Sequence, residues 1–164
     1  LFGGRRVVMA TTTKTKTKLP PNPLLSEVLD AVSKARSKAK KIELLKEYDS
    51  PAIRAVLIWN YDESVKSMLP DGQVPYNPNE APKGTDHNQL TSEYKNLYHY
   101  VKGGNDPLPS LRRESMFIQL LERLHAEEAE LICLTKDKKL TSKYKLTQET
   151  IAEAYPDIHW GGRS

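Results

Sequence analysis

Pro51–Tyr61, PAIRAVLIWNY, is the stretch whose reading decides the fold. Ile53, Val56, Leu57 and Trp59 recur at helical spacing, Arg54 is the lone charge, and apolar side chains point in nearly every direction around the axis. Such a helix is stable only when other elements cover it on several sides, which calls for further helices packed around it. Ser50-Pro51 supplies its start, a capping side chain followed by the one helical position that tolerates proline well.

Working back from it, Asn22-Pro23 reads as another cap-plus-proline start, with Leu24, Leu25, Val28, Leu29 and Val32 as one buried stripe. A second helix follows a break near Ser37, with Ala39, Ile42, Leu45 and Tyr48 inward. Working forward, Asp62 is placed to cap a short helical continuation carrying Val65, Met68 and Leu69. Leu90, Tyr94, Leu97, Tyr98 and Val101 form the next stripe, stopped by Gly103-Gly104, with Tyr98 in the core and His99 and Tyr100 nearer the surface. Asp106-Pro107 then opens a long amphipathic helix with Leu108, Leu111, Phe117, Leu120, Leu121 and Leu124 inward and Arg112, Arg113 and Glu114 on or beside its polar face. His125 breaks it from AEEAELICL, and Thr147, flanked by Leu146 and Ile151 at the spacing of a hydrophobic staple, starts the last helix.

The pattern predicts an all-α fold, one domain over residues 23–158 with six to seven short helices around the central helix 51–61. Residues 70–88, PDGQVPYNPNEAPKGTDHN, have four prolines and no periodicity and form a long Pro-rich loop, with Val74 and Tyr76 as apolar anchors on the body or on a partner. Residues 9–22 read as a disordered Thr/Lys/Pro arm and 159–164 as a flexible C-terminal tail. Residues 1–8 have no helix or strand pattern. Gly-Gly-Arg-Arg can be encoded by a purine-rich ribosome-binding sequence, so Met9 is expected to be the true start and 1–8 a translated leader.

Composition sets outer limits on function. At 164 residues, with 38% hydrophobic and 28% charged side chains, the chain suits one domain with a real core. No window is long and apolar enough to cross a bilayer, so no membrane contact is expected and the cytosol is the default setting. The net charge is +4, but residues 1–18 hold five cations and no acid, which leaves 19–164 at −1. The basic character therefore belongs to the arm, and a globally basic nucleic-acid surface is not indicated. Cys133 has no disulfide partner and sits in an apolar run as a structural thiol, and the four histidines are scattered without metal-ligand spacing. No nucleophile–base pair, paired carboxylates or phosphate cradle has recognisable spacing, so neither enzymatic activity nor a metal or cofactor is expected.

Two lysine-rich patches stand out. Lys34, Arg36, Lys38, Lys40 and Lys41 crowd the junction of the first two helices, and Lys136, Lys138, Lys139 and Lys143 follow the AEEAELICL helix. With Val74 and Tyr76 they are the candidate partner-binding residues, suited to a phosphate backbone or an acidic protein face. A solvated helix corner and a favourable dipole at a helix C-terminus are the bland alternatives.

Several segments, DSPAIRAVL, LPDGQVPYNPN, LYHYVKGG, RRESMFIQLLERLHAEEAELICLTKDKKL and YKLTQETIAEAYP, together resemble a small family of unknown function from contractile-tailed phages, especially those of marine cyanobacteria. The resemblance covers residues from about Leu24 to Ile158. It implies a phage protein made in the host bacterial cytoplasm, and it carries over no catalytic or binding residue. The function expected is that of a non-enzymatic accessory adaptor for a macromolecular partner, a phage or host protein or nucleic acid, in replication or transcription. The alternative is a virion component whose Thr-Lys arm ties subunits together.

Overall fold

The computed structural model describes residues 19, 23–79 and 88–163 of the chain. The helices among them, in chain order, are α1 (Leu25–Lys34), α2 (Lys38–Glu47), α3 (Pro51–Tyr61), α4 (Leu90–Glu93), a 3-10 helix (Tyr94–Tyr100), α5 (Ser110–Arg123), α6 (Ala126–Lys136), a second 3-10 helix (Leu140–Ser142) and α7 (Gln148–Ala154). Only isolated β-bridges accompany them among the described residues, so the all-α expectation holds. The leader 1–8 and the arm 9–22, apart from Leu19, lie outside the described residues, as do 80–87 of the loop.

Three helix starts follow the local chemistry read from sequence, whereas α1 begins at Leu25 with Leu24 as its N-cap and not at the Asn22-Pro23 step. Ser37 Oγ accepts from Lys40 N at 3.1 Å, Ser50 Oγ from Ile53 N at 3.2 Å, and Thr147 Oγ1 from Thr150 N at 3.2 Å, each satisfying an N–H that the first helical turn leaves free. Leu146 and Ile151 flank the last of these caps, both buried.

α3 packs on α6, on α4 and on the first 3-10 helix; α2 packs on both α1 and α7, α1 also packs on α6, and α5 packs on α6. Ala52, Ile53, Val56, Leu57, Trp59 and Asn60 of α3 are buried, as a nearly charge-free helix requires. Its one cation, Arg54, reaches its edge. There it meets Asp49 through two bonds of 2.8 and 2.9 Å and Asp157 at 2.8 Å, and lies 4.6 Å above the Tyr155 ring.

Three expectations change. Residues 62–69 are not helical: Asp62 Oδ1 accepts from both the N–H and the hydroxyl of Ser64, a local turn that competes with a helical start, and Ser67 then pairs antiparallel with Val101. The stripe expected as one helix over 90–101 is a single α turn followed by seven residues of 3-10 helix. With three residues per turn, Tyr94, Leu97 and Tyr100 share one side, so Tyr100 is buried edge-on against Phe117 at 5.2 Å while Tyr98 is 49% exposed. α5 starts at Ser110 after Pro109, not at Asp106, and its inward stripe is Arg113, Phe117, Leu120 and Leu121. Leu111 falls off that stripe and is 81% exposed.

The tail expected over 159–164 is tied back over 159–163. Asp62, buried at the end of α3, accepts from Gly161 N at 2.9 Å and Arg163 Nη1 at 2.7 Å, and Arg163 N donates to Ser64 Oγ at 3.0 Å. Burial by itself would raise the Asp62 carboxyl, but the N–H of Gly161, the hydroxyl and N–H of Ser64 and the Arg163 guanidinium together hold it down at about 2. A depressed carboxyl contributes stability above its unfolded value of 3.8 and loses it as pH falls through about 2. Asp62→Ala is therefore expected to cost about 2 kcal/mol at neutral pH, with the difference from wild type closing below about pH 3. Urea denaturation across that range checks it.

Candidate functional site

Most of the lysines singled out in the sequence are engaged within the molecule. Lys34 pairs with Asp30 at 3.0 Å, Lys40 with Glu43 at 2.7 Å, and Lys38 with Glu149 at 3.0 Å and with Glu153. Hydrogen bonds to Glu153 and Glu149 raise the Lys38 ammonium above its usual range. Lys41 Nζ donates to Lys145 O at 2.6 Å, and Lys143 pairs with Glu130 beside the Tyr144 ring. Arg36 and Lys139 remain exposed without a charged partner among the described residues.

Lys136 and Lys138 belong to the scaffold and not to a surface strip. The Lys136 side chain is 0% exposed, its ammonium donating to Pro70 O at 2.7 Å and Gly72 O at 3.1 Å and pairing with Asp137 at 2.6 Å, so it anchors the start of the long loop. Lys138 adopts a left-handed backbone with φ 58° just past α6 and donates to Trp59 O at 2.6 Å and Asp62 O at 2.8 Å. It thus supplies a cation where the carbonyls at the end of α3 need one, and burial lowers its ammonium below the ordinary range. A run of lysines in sequence does not distinguish these two from their exposed neighbours. Only the return of the chain past α3 and the loop does.

Val74 and Tyr76 are half-buried against the core, so they anchor the loop on the body. Val74 and Pro75 also line a cavity of about 210 Å³ with Leu69, Phe117 and Ile118. Asn77 N donates to Glu122 Oε2 at 2.9 Å and Asn88 N to Arg123 O at 2.8 Å, which brings both described ends of the loop to the α5–α6 junction.

The larger concavity lies on α3 itself. A cleft of about 390 Å³ has Ala55, Ile58 and Trp59 on one wall, Tyr94, Leu97 and Tyr98 of the 3-10 helix on another, and Val65 and Val101 from the paired segments between them. The volume falls in the range of small-ligand sites, and the lining is mostly apolar. Trp59 is fixed there by a relay, its Nε1 donating to Ser67 Oγ at 2.8 Å and that hydroxyl donating to Lys136 O at 2.6 Å.

Gly103 and Gly104 shape the rim. Gly103 has φ +90°, which only glycine adopts without strain, and a Cβ on Gly104 would stand 2.0 Å from Tyr98 O. Arg113, 2% exposed, holds the same turn from beneath, Nε donating to His99 O at 2.8 Å and Nη2 to Asn105 O at 2.9 Å. Lys102 and Arg163 complete the mouth.

Sequence reasoning missed this site, because Val65, Val101, Lys102 and Arg163 are brought to α3 only through the Ser67–Val101 bridge and the returning C-terminal segment. Cys133 behaves as expected of a structural thiol, half-buried and pushed up to about 11 by burial. Among the described residues, no group of three or more His, Cys, Asp or Glu side chains is placed to hold a metal ion, and no helix is long and apolar enough to cross a membrane.

Fold and site thus define a small all-α protein with an apolar, cation-rimmed cleft on its central helix. The chain belongs to a family of unknown function, DUF6433, whose model matches residues 28–142. A family without an assigned function agrees with the resemblance read from the sequence segments. No curated protein and no solved structure matches the chain.

Proposed function

We propose that this chain is a non-enzymatic accessory protein that binds a protein partner during phage replication or transcription in the cytoplasm of an infected bacterium. The observation that carries the reading is the open cleft on α3, where the half-exposed Tyr98 ring and the Lys102 side chain border an apolar floor. Aromatic and apolar side chains at the centre with charge at the rim are the features of protein-recognition sites. The pairing of Lys34, Lys38, Lys40 and Lys143 with nearby carboxylates argues against a phosphate-binding strip, since a cation already neutralised releases few counterions on meeting nucleic acid.

Affinity capture of the tagged full-length chain from infected cells tests the reading. The expected result is a replication or transcription protein recovered in stoichiometric amount. Stoichiometric presence of the chain in purified virions would overturn it in favour of a structural or assembly role. Nucleic-acid binding measured against salt is expected to be weak and shallow in slope. A slope of several salt ions released would shift the partner from protein to nucleic acid.

A further inference from the structure

We infer that Pro75 and Pro78 form a polyproline-II ridge that docks into an aromatic-lined groove of a partner protein, a groove edged by a cation that meets Glu114. This surface is separate from the α3 cleft, and the inference goes beyond the reading given above.

The extended form of the ridge follows from the sequence. Proline fixes its own φ at about −65° and drives the residue before it out of the helical region, so Val74, Pro75, Asn77 and Pro78 are all confined to extended backbone. Residues 73–78 accordingly run without helix, turn or bend. A polyproline-II helix repeats about every three residues, which sets Pro75 and Pro78 on one edge. Both are exposed, as is Asn77 between them, whereas Val74 and Tyr76 pack on the core. The apolar side chains on either side of Pro75 are thus taken up by the body, and the proline edge is left to solvent.

The ridge is held at both ends before any partner arrives. Lys136 Nζ donates to Pro70 O and Gly72 O, and Gly72 N donates to Asp137 Oδ2 at 3.2 Å. Asn77 N donates to Glu122 Oε2, and Asn79 forms a parallel bridge with His125. An extended segment already fixed on a scaffold loses little further freedom on docking, the property that aromatic grooves for proline-rich segments exploit. The carbonyls of residues 74–78 accept no hydrogen bond among the described residues, so they are open to donors on the groove.

Glu114 sets the charge of the partner. The recess of about 210 Å³ beside the ridge has Leu69, Val74, Pro75, Phe117 and Ile118 in its walls, and Glu114 is its one charged lining residue. That carboxylate is half-buried and has no hydrogen bond or ion pair among the described residues. A carboxylate partly withdrawn from water is complementary to a lysine or arginine side chain, whose aliphatic stem suits the apolar walls. A phosphate backbone would meet the same carboxylate as a like charge, which favours a protein over a nucleic acid on this face.

Isothermal titration calorimetry of the full-length chain with an SH3 domain and a WW domain, each carrying a lysine at the edge of its aromatic groove, tests this. Binding to at least one is expected, weakened at least about tenfold by Pro75→Ala together with Pro78→Ala. Pro156→Ala, at an exposed proline beyond α7, is the control and is expected to leave binding unchanged. Glu114→Lys keeps both prolines and is expected to weaken binding by a similar factor, with a glutamate in place of the lysine at the groove edge restoring it. This charge swap tests the inference even where the alanine changes disturb the loop. Absence of binding to both domains, indifference to the double proline change, or no response to the charge swap overturns the inference. A partner captured from infected cells equally by wild type and by the double proline variant also overturns it, while leaving the reading of the chain as a partner-binding protein in place.

Discussion

Leu57→Ala is expected to lower the free energy of unfolding by about 3–5 kcal/mol. Leu57 lies in the middle of α3 with 0% exposure, among residues packed on both α6 and the α4/3-10 side, so the walls of the space it leaves belong to several elements and cannot all relax inward. Domains of this size have total stabilities of about 5–15 kcal/mol, so a single truncation here removes a large share. Ile58→Ala is the informative comparison. Ile58 is half-buried on the cleft wall, where solvent can fill the space, and its loss is expected to cost about 1 kcal/mol. Chemical denaturation reads both as shifts in midpoint at unchanged slope. A loss at Leu57 no larger than at Ile58 would show that α3 is not the centre of the core.

Glu128→Ala is expected to cost about 3 kcal/mol, and its pH dependence identifies the cause. Glu128 is 0% exposed on α6, with Oε1 accepting from Leu90 N at 3.0 Å and Oε2 from Ser26 N at 3.3 Å. One carboxylate thus caps the first turns of both α1 and α4, helices whose starts, Leu25 and Leu90, are 65 residues apart in the chain. Alanine would leave both N–H groups buried without an acceptor. Burial pushes the Glu128 carboxyl up, and the N–H groups of Leu90, Ser26 and Leu25 draw it only part of the way back. The sign follows from that. A carboxyl raised in the folded state favours folding most when protonated, so its contribution is full below the unfolded value of 4.5 and is lost as pH rises through the raised folded value. Glu128→Gln, which cannot ionise, is expected to remove this drift, so that its deficit relative to wild type is larger below about pH 5 than at about pH 8. Denaturation midpoints for wild type and Glu128→Gln over that range check the prediction, and parallel curves would count against it.

The parts of the fold that were legible in the sequence are those set by local chemistry. Ser50-Pro51 and Thr147 started helices where capping side chains and a permissive first position said they would, and the apolar run of α3 went to the centre because no exposed face could accommodate it. Tyr98 and Leu111 were less legible for different reasons, Tyr98 because an α-helical phase was carried through a 3-10 segment and Leu111 because an apolar residue of α5 was put on a stripe that a buried arginine occupies. The tighter 3-10 turn moved Tyr100 inward and Tyr98 outward, and the stripe of α5 runs through Arg113 instead of Leu111. A buried arginine is invisible to a reading of apolar periodicity, since its warrant is the pair of carbonyls, His99 O and Asn105 O, that the folded turn presents to it.

The same division applies to function. By itself the sequence determined an all-α chain whose helices begin at capping residues and wrap one apolar helix, because capping, proline geometry and hydrophobic periodicity act over a few residues. It placed Trp59 in that central helix and put Val74 and Tyr76 of the following loop among the candidate contacts. Tertiary structure decided where each of them lies: the described part of the loop is fastened to the body by Val74, Tyr76 and the buried Lys136, while Ala55, Ile58 and Trp59 of α3 form a wall of the cleft. Which lysines are free was likewise settled by folding, because the charge a side chain presents depends on the carboxylates and carbonyls that distant segments bring to it, and Lys66 and Lys102 are joined only by the pairing of Ser67 with Val101.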